Sequence, residues 1–318
     1  MRKEDLRIVF MGTPEFAVES LKALVEGGYN VVGVVTMPDK PAGRGHKIQF
    51  SAVKEYALSQ NLTILQPEKL RDEEFLSQLR NLKADLQIVV AFRMLPEVVW
   101  SMPKHGTFNL HASLLPQYRG AAPINWAIIN GEKETGATTF FLKHEIDTGK
   151  IILQRKITIK ENDNVGTIHD KLMIIGAKMV TETVDLLLSG KVNAVSQDEF
   201  INETTVLKPA PKIFKNDCEL RFDMNVLEAH NFVRGLSPYP TAWAKIQFPQ
   251  LLEKLDIKIY ETAPILEKHN LAPGTVVVEG RKTVKIAFKD GFLLLEEIQA
   301  PGKKRMKIGD FLNGLQIS

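Results

Sequence analysis

The residues of this chain best suited to chemistry lie in one stretch, HGTFNLHASLLPQYRGAAPINWAIINGEKETGATTFFLKHEIDTGK, residues 105–150. Thr107, Asn109 and His111 alternate with Phe108 and Leu110, the period of a strand. Side chains two apart share a face, so the Asn109 carboxamide and the His111 imidazole can address the same point. Ala112-Ser113-Leu114-Leu115-Pro116 then leaves the strand as a loop, at the end where open α/β sheets place their ligands. Asp147 follows in HEIDTGK, a polar loop after a strand predicted over 137–142. Each has a plainer reading: a histidine satisfied within the core, or an aspartate bonding its own turn. Spacing alone does not bring Asp147 to His111; a sheet that places their strands close does.

The elements that must position these groups read as an α/β fold. Leu6–Met11 is a short apolar run ending at Gly12-Thr13-Pro14, and a helix is predicted over Glu15–Glu26, closed by Gly27-Gly28. Val31–Thr36 and Leu86–Ala91 read as strands, the latter apolar nearly throughout, as expected of strands buried on both faces. Such alternation predicts a Rossmann-like, mostly parallel sheet with helices on both faces. The turn FMGTPEF lacks G-x-G-x-x-G, so no dinucleotide is predicted.

A helix is predicted over Val165–Leu188, stopped by Ser189-Gly190. Periodicity is then lost over 191–211, which contains Pro209 and Pro211 and is assigned as a linker. A helix near Val226–Gly235 precedes five short apolar runs: Ala242–Phe248, Ile257–Ala263, Gly274–Val278, Val284–Ala287 and Phe292–Ile298. Short strands separated by turn signals predict a small β-barrel like an OB-fold. The organisation expected is a catalytic domain over 1–190, the linker, and a C-terminal OB-like domain over 212–318.

Bulk composition narrows the class. The 318 residues are 44% hydrophobic and 25% charged, ordinary for a globular protein. No run reaches the roughly 18 apolar residues of a membrane span, and the N-terminal apolar run is too short for an export signal. A single cysteine, Cys218, excludes an internal disulfide and a cysteine-rich metal site. A cytoplasmic protein is expected, with no membrane association and no obligate protein partner. Residues 209–318 carry 16 Lys and Arg against 13 Asp and Glu, which accounts for the whole net charge of +3. That excess permits an RNA partner in the C-terminal third but does not require one.

NLHASLLPQYRGAAPINWAI together with IDTGKII resembles the 10-formyltetrahydrofolate-dependent formyltransferase family. The resemblance runs from IVFMGTPEFAV through LSPYPTAW to APGKK, essentially the whole chain. More narrowly, TMPDKPAGRGHKI (residues 36–48) looks like the loop of those members that formylate methionyl-tRNA. One segment departs from the family pattern: where AYG and a short apolar run are usual, this chain has Ala91-Phe92-Arg93-Met94-Leu95-Pro96.

The resemblance implies that Asn109, His111 and Asp147 carry catalysis, and that Ser113, Leu114, Leu115 and Pro116 line the folate site. It implies 10-formyltetrahydrofolate as co-substrate and initiator methionyl-tRNA as acceptor, with neither a metal nor a covalent enzyme intermediate. An amine attacking a formyl carbon develops an oxyanion, and one preplaced donor is worth roughly 3–4 kcal/mol. The Asn109 amide suits that role; His111 suits proton delivery to the departing folate nitrogen, and Asp147 suits acceptance of the amine proton. Lys40, Arg44 and Lys47 form a basic finger expected at the tRNA acceptor end, with Arg44 the foremost reader. Lys303, Lys304, Arg305 and Lys307 are expected to meet RNA phosphates, unless they are only a solvated loop. Two rival readings stay open. A formyltransferase for a small amine, such as glycinamide ribonucleotide or an amino sugar, would share the three catalytic residues but need neither finger nor barrel. A non-catalytic RNA-binding protein would need no such set.

Overall fold

A computed structural model describes residues 2–42 and 47–315. Strands and helices alternate from the start: β1 (Ile8–Gly12), α1 (Glu15–Glu26), β2 (Val31–Val35), and a ribbon of β3 (Lys40–Ala42) and β4 (Lys47–Gln49). Next come α2 (Ala52–Ser59), β5 (Ile64–Leu65), α3 (Glu73–Asn81), β6 (Leu86–Val90), α4 (Glu97–Trp100) and β7 (Thr107–His111). After α5 (Pro123–Ile129) follow β8 (Glu134–Phe141), β9 (Ile151–Thr158) and α6 (Val165–Leu188).

Seven of these strands form one sheet in the order β5-β2-β1-β6-β7-β8-β9. The first five are parallel neighbours, and β8 runs antiparallel to β7. β1 and β6 are buried at every position, which is why neither shows polar alternation. Val9, Met11, Val35 and Val89 pack with Phe75, Leu76 and Leu79 of α3. Each such side chain contributes about 1.5–3 kcal/mol on burial. The helices start on side-chain caps where the sequence supplies them: Ser51 accepts from Lys54 N at 3.1 Å, and Asp72 from Glu74 N at 2.9 Å.

Contacts divide the chain into two compact units. The first comprises Met1–Gly120, Gly136–Ile157 and His169–Pro209; the second comprises Ala121–Thr135, Thr158–Ile168 and Ala210–Ser318. The second unit thus includes α5 and the 158–168 segment as well as the C-terminal residues. Its own elements are α7 (Val226–Leu236), β10 (Ala242–Ile246), β11 (Leu255–Leu266), β12 (Val276–Glu279), β13 (Thr283–Ala287), β14 (Gly291–Gln299), β15 (Met306–Lys307) and α8 (Ile308–Gly314). The strands make an antiparallel sheet, β10-β11-β14-β13-β12, with β15 paired to β14. Ala229, Val233 and Leu236 of α7 enter its core beside Ile257, Ile259, Leu293 and Leu295. Asn125 of α5 donates to the Gly235 carbonyl at 2.8 Å.

The 191–211 segment is short of regular structure, as its lost periodicity predicts, but its first part is built into the first unit. Val195 bridges Ile151, and Gln197–Phe200 forms a 3-10 turn in which Gln197 is 2% exposed. Among the described residues, no helix is long and apolar enough to cross a membrane.

Candidate active site

β7 presents Asn109 and His111 from one face, in register with Phe140 and Thr138 of β8. His111 is buried, its ring edge-on to Phe140 at 6.5 Å. Its Nε2 lies 2.9 Å from the Tyr118 carbonyl oxygen. A carbonyl only accepts, so Nε2 carries the hydrogen and Nδ1 is left to exchange a proton. Nδ1 faces Oδ2 of Asp147 at 3.9 Å, an ion-pair separation longer than a hydrogen bond. The Asn109 side chain, half-buried, makes no hydrogen bond to any described residue. Its carboxamide is therefore available to an oxygen placed before it.

The strand directions explain why the sequence could not place Asp147. Because β8 runs against β7, its exit at Phe141 lies beside Phe108, not beside His111. The residues after it double back, with Phe141 N donating to the Lys150 carbonyl at 3.0 Å. Asp147 takes the left-handed conformation, φ 53, within this reversal, one that aspartate tolerates better than most residues. Gly149 has no substitute here: a Cβ would lie 1.6 Å from the Phe141 carbonyl oxygen. The Asp147 carboxylate also accepts from Gly120 N at 3.0 Å.

The loop after His111 is held by groups that spacing did not single out. Thr138 Oγ1 donates to the Ser113 carbonyl at 2.7 Å and lies 3.2 Å from Leu115 N, which donates to it. Gln154 of β9 donates to the Leu115 carbonyl at 2.8 Å. Gln117 bonds the 206–208 backbone in both senses, donating to the Val206 carbonyl and accepting from Lys208 N, each at 2.9 Å. Tyr118 N donates to the Lys208 carbonyl at 2.7 Å. Tyr118 has φ 59, a costly conformation for a bulky residue and one that aims its carbonyl at His111.

Of the four residues assigned to the folate site, the structure presents them unequally. The Ser113 hydroxyl donates to the Gln117 carbonyl at 2.7 Å, and Leu115 packs with Phe140 and Ile151. Pro116 is buried too, so Leu114, half-buried, is the one with side-chain surface to offer. In the departing segment, Arg93 donates to the Glu68 carbonyl at 2.8 Å and to the Pro67 carbonyl, and its guanidinium lies over Phe92. Arg93 thus ties the loop after β6 to residues 67–68.

The basic finger is a two-stranded antiparallel ribbon in its described part, with Lys40 opposite Gln49 and Ala42 opposite Lys47. Lys40 is exposed; Arg44 lies outside the described residues. The ribbon's base is fixed by Asp39, which pairs with Lys54 and accepts from Gln66 at 2.8 Å. Both contacts hold the Asp39 carboxyl below the usual carboxylate range, Lys54 foremost.

In the second unit, Lys303 and Lys304 are exposed. Arg305 is engaged: it meets Glu297 at 2.5 Å and Glu261 at 3.5 Å, and stacks on Tyr260 at 4.4 Å. Hydrogen bonding from Arg305 holds the Glu297 carboxyl below its usual range. Lys307 pairs with Glu261 at 2.7 Å. Two of the four cations expected to meet phosphate are thus already neutralised within the protein.

Comparison with known proteins agrees with this arrangement in fold and in sequence. Residues 6–184 match the model of the Formyl transferase family, and residues 212–316 match Formyl transferase, C-terminal domain. The methionyl-tRNA formyltransferase of Bacteroides thetaiotaomicron is 61% identical over 320 residues, covering 100% of this chain and 98% of the relative. That of Parabacteroides distasonis is 62% identical over 317 residues, covering 99% and 98%. Among solved structures, an N-formyltransferase from Helicobacter canadensis, in complex with folinic acid and dTDP-3-aminofucose, superposes with a TM-score of 0.66 at 19% identity. It covers 95% of this chain and 100% of that one, and at that identity it speaks for the fold alone. Both parts of the chain are matched in order, and relatives this similar run nearly end to end with it: the chain belongs to the formyl transferase family.

Proposed function

We propose that this enzyme transfers the formyl group of 10-formyltetrahydrofolate to the amino group of initiator methionyl-tRNA, giving N-formylmethionyl-tRNA for translation initiation. The observation that carries the chemistry is the unpartnered Asn109 carboxamide beside His111, with the Asp147 carboxylate 3.9 Å from the imidazole. Full-length similarity to methionyl-tRNA formyltransferases supports the choice of acceptor.

In this reading the Asn109 N–H donors meet the formyl oxygen as negative charge develops on it. Asp147 takes a proton from the attacking amine, directly or through water, as the new C–N bond forms. His111 gives the proton on Nδ1 to the folate nitrogen as the old C–N bond breaks, while Nε2–H stays on the Tyr118 carbonyl. Folate contacts fall to the Leu114 side chain and to backbone of residues 113–116, since the Ser113 hydroxyl is already bonded within the loop.

The tRNA is met by Lys40, Arg44 and Lys47 of the basic finger. It is met in the second unit by Lys303 and Lys304, which no carboxylate among the described residues pairs. Arg305 serves mainly to hold Glu297 and Glu261. A cytoplasmic location fits a translation enzyme.

The deciding experiment supplies 10-formyltetrahydrofolate and methionyl initiator tRNA to the purified enzyme and measures formylmethionyl-tRNA. Formation of that product is expected. A folded enzyme that binds the folate but yields none would end this reading; preferential use of glycinamide ribonucleotide or an amino sugar would move it to the small-amine class.

A further inference from the structure

Gln197 lies far along the chain from the catalytic residues, among residues read from sequence as linker, yet it is 2% exposed. Its amide nitrogen donates to the backbone carbonyls of both Asp147 and Gly149, at 2.8 and 2.9 Å. Its amide oxygen accepts the fork of Arg119, Nε at 3.0 Å and Nη2 at 2.7 Å. Every strong donor and acceptor of the side chain is thus used inside the protein, and every partner belongs to the two loops that meet at His111.

From this geometry we infer that Gln197 is a positioning residue for formyl transfer, setting the separation of Asp147 from His111 by clamping the Asp147 turn to the loop that holds the imidazole. The links close a circuit. His111 Nε2–H bonds the Tyr118 carbonyl, and Arg119 follows in the chain and grips Gln197. Gln197 fixes the backbone on either side of Thr148, and the Asp147 carboxylate returns to Gly120 N. Asp147 and Tyr118 both occupy left-handed backbone, φ 53 and φ 59. Such conformations persist only where surrounding contacts over-determine them. The two carbonyl bonds supply that on the Asp147 side, and the Lys208 carbonyl accepting from Tyr118 N supplies it on the other.

Glutamate at 197 keeps the acceptor for Arg119 but cannot donate to two carbonyls, so it releases the turn with little change of volume. The inference rests on the formyl-transfer reading, and wild-type turnover in the same assay separates the two. If wild-type enzyme makes no formylmethionyl-tRNA, the functional reading fails first. With wild type active, Gln197→Glu is expected to lower kcat about 10- to 100-fold, since misplacement on the order of 1 Å has that cost. KM for 10-formyltetrahydrofolate should stay within about twofold, because Gln197 offers the ligand nothing. Arg119→Gln, which breaks the other arm, should show the same split and serves if the first variant loses its fold by circular dichroism. A kcat within about twofold of wild type in either folded variant overturns the inference.

Discussion

His111 and Asp147 approach to 3.9 Å with no hydrogen bond between them, each held by the backbone of the same loop. Tyr118 anchors one through its carbonyl and Gly120 anchors the other through its N–H. The pair is therefore positioned without consuming the imidazole Nδ1. In the proposed reaction the proton passes through that atom.

Removing the imidazole tests this directly. His111→Ala is expected to lower kcat by about 10²–10⁴-fold, the usual worth of a placed acid or base. Thermal unfolding should remain cooperative, with substrate binding retained. A variant with near wild-type turnover would take His111 out of the mechanism.

Asn109→Ala removes the only donors assigned to the developing oxyanion. Loss of about 10²–10³ in kcat is expected with little change in KM for the folate. Single-turnover kinetics with excess enzyme would place the loss in the chemical step; a loss seen only in KM would make Asn109 a binding residue.

The paired and unpaired cations of the second unit should behave differently toward RNA. Replacing Lys303 and Lys304 with Ala should weaken tRNA binding and reduce the slope of log K against log salt by about 1 for each phosphate no longer neutralised. Arg305→Gln should change that slope less, because Glu297 and Glu261 already offset its charge. Arg44→Ala, in the basic finger, should raise KM for the tRNA while leaving folate affinity alone. Equal salt slopes for all variants would remove the distinction.

Gly149→Ala should be costly, since its Cβ would sit 1.6 Å from the Phe141 carbonyl and backbone must move. A loss of about 3 kcal/mol, the upper end for overpacking, is expected in urea unfolding, together with lost turnover. A stable, active alanine variant would show that the turn adapts.

His230 predicts a pH dependence in the second unit. Burial lowers its pKa below the ordinary value of 6.5, and Arg234 adds to the effect against a weaker opposing pull from Glu161. Nδ1 meets Thr262 Oγ1 at 3.0 Å. The folded state thus resists protonation, and the unfolded chain takes up the proton first. Stability from this group is full above pH 6.5, falls as pH drops below it, and levels off below the depressed folded value. His230→Gln should flatten the part of the unfolding free-energy profile that falls as pH drops below 6.5. An unchanged profile would mean the histidine protonates freely in place.

What the sequence made legible follows from which signals are local. The bounds of α1 and α6 were readable because Gly27-Gly28 and Ser189-Gly190 stop them. Burial on both faces gave β6 its nearly continuous apolar run, with Gln87 the one polar residue. β9 has no clear local signal: Gln154, Arg155 and Lys156 interrupt its apolar start, and it lies at the sheet edge. Asn109 and His111 could be matched by period, but Asp147 needed the reversal after β8, which no spacing encodes. Gln197 carries no local mark in Ser196-Gln197-Asp198-Glu199; only burial and its bonds to Asp147, Gly149 and Arg119 in the fold single it out. The cations of residues 303–307 looked alike in sequence; pairing across β11 and β14 separates them.

The bond that orients His111 comes from the Tyr118 main chain, so alanine scanning is blind to it. Truncating that ring leaves the carbonyl in place, and tolerance at position 118 should track a residue's ease in left-handed backbone. Glycine or asparagine there would preserve the anchor better than valine, although valine is closer to tyrosine in hydrophobicity.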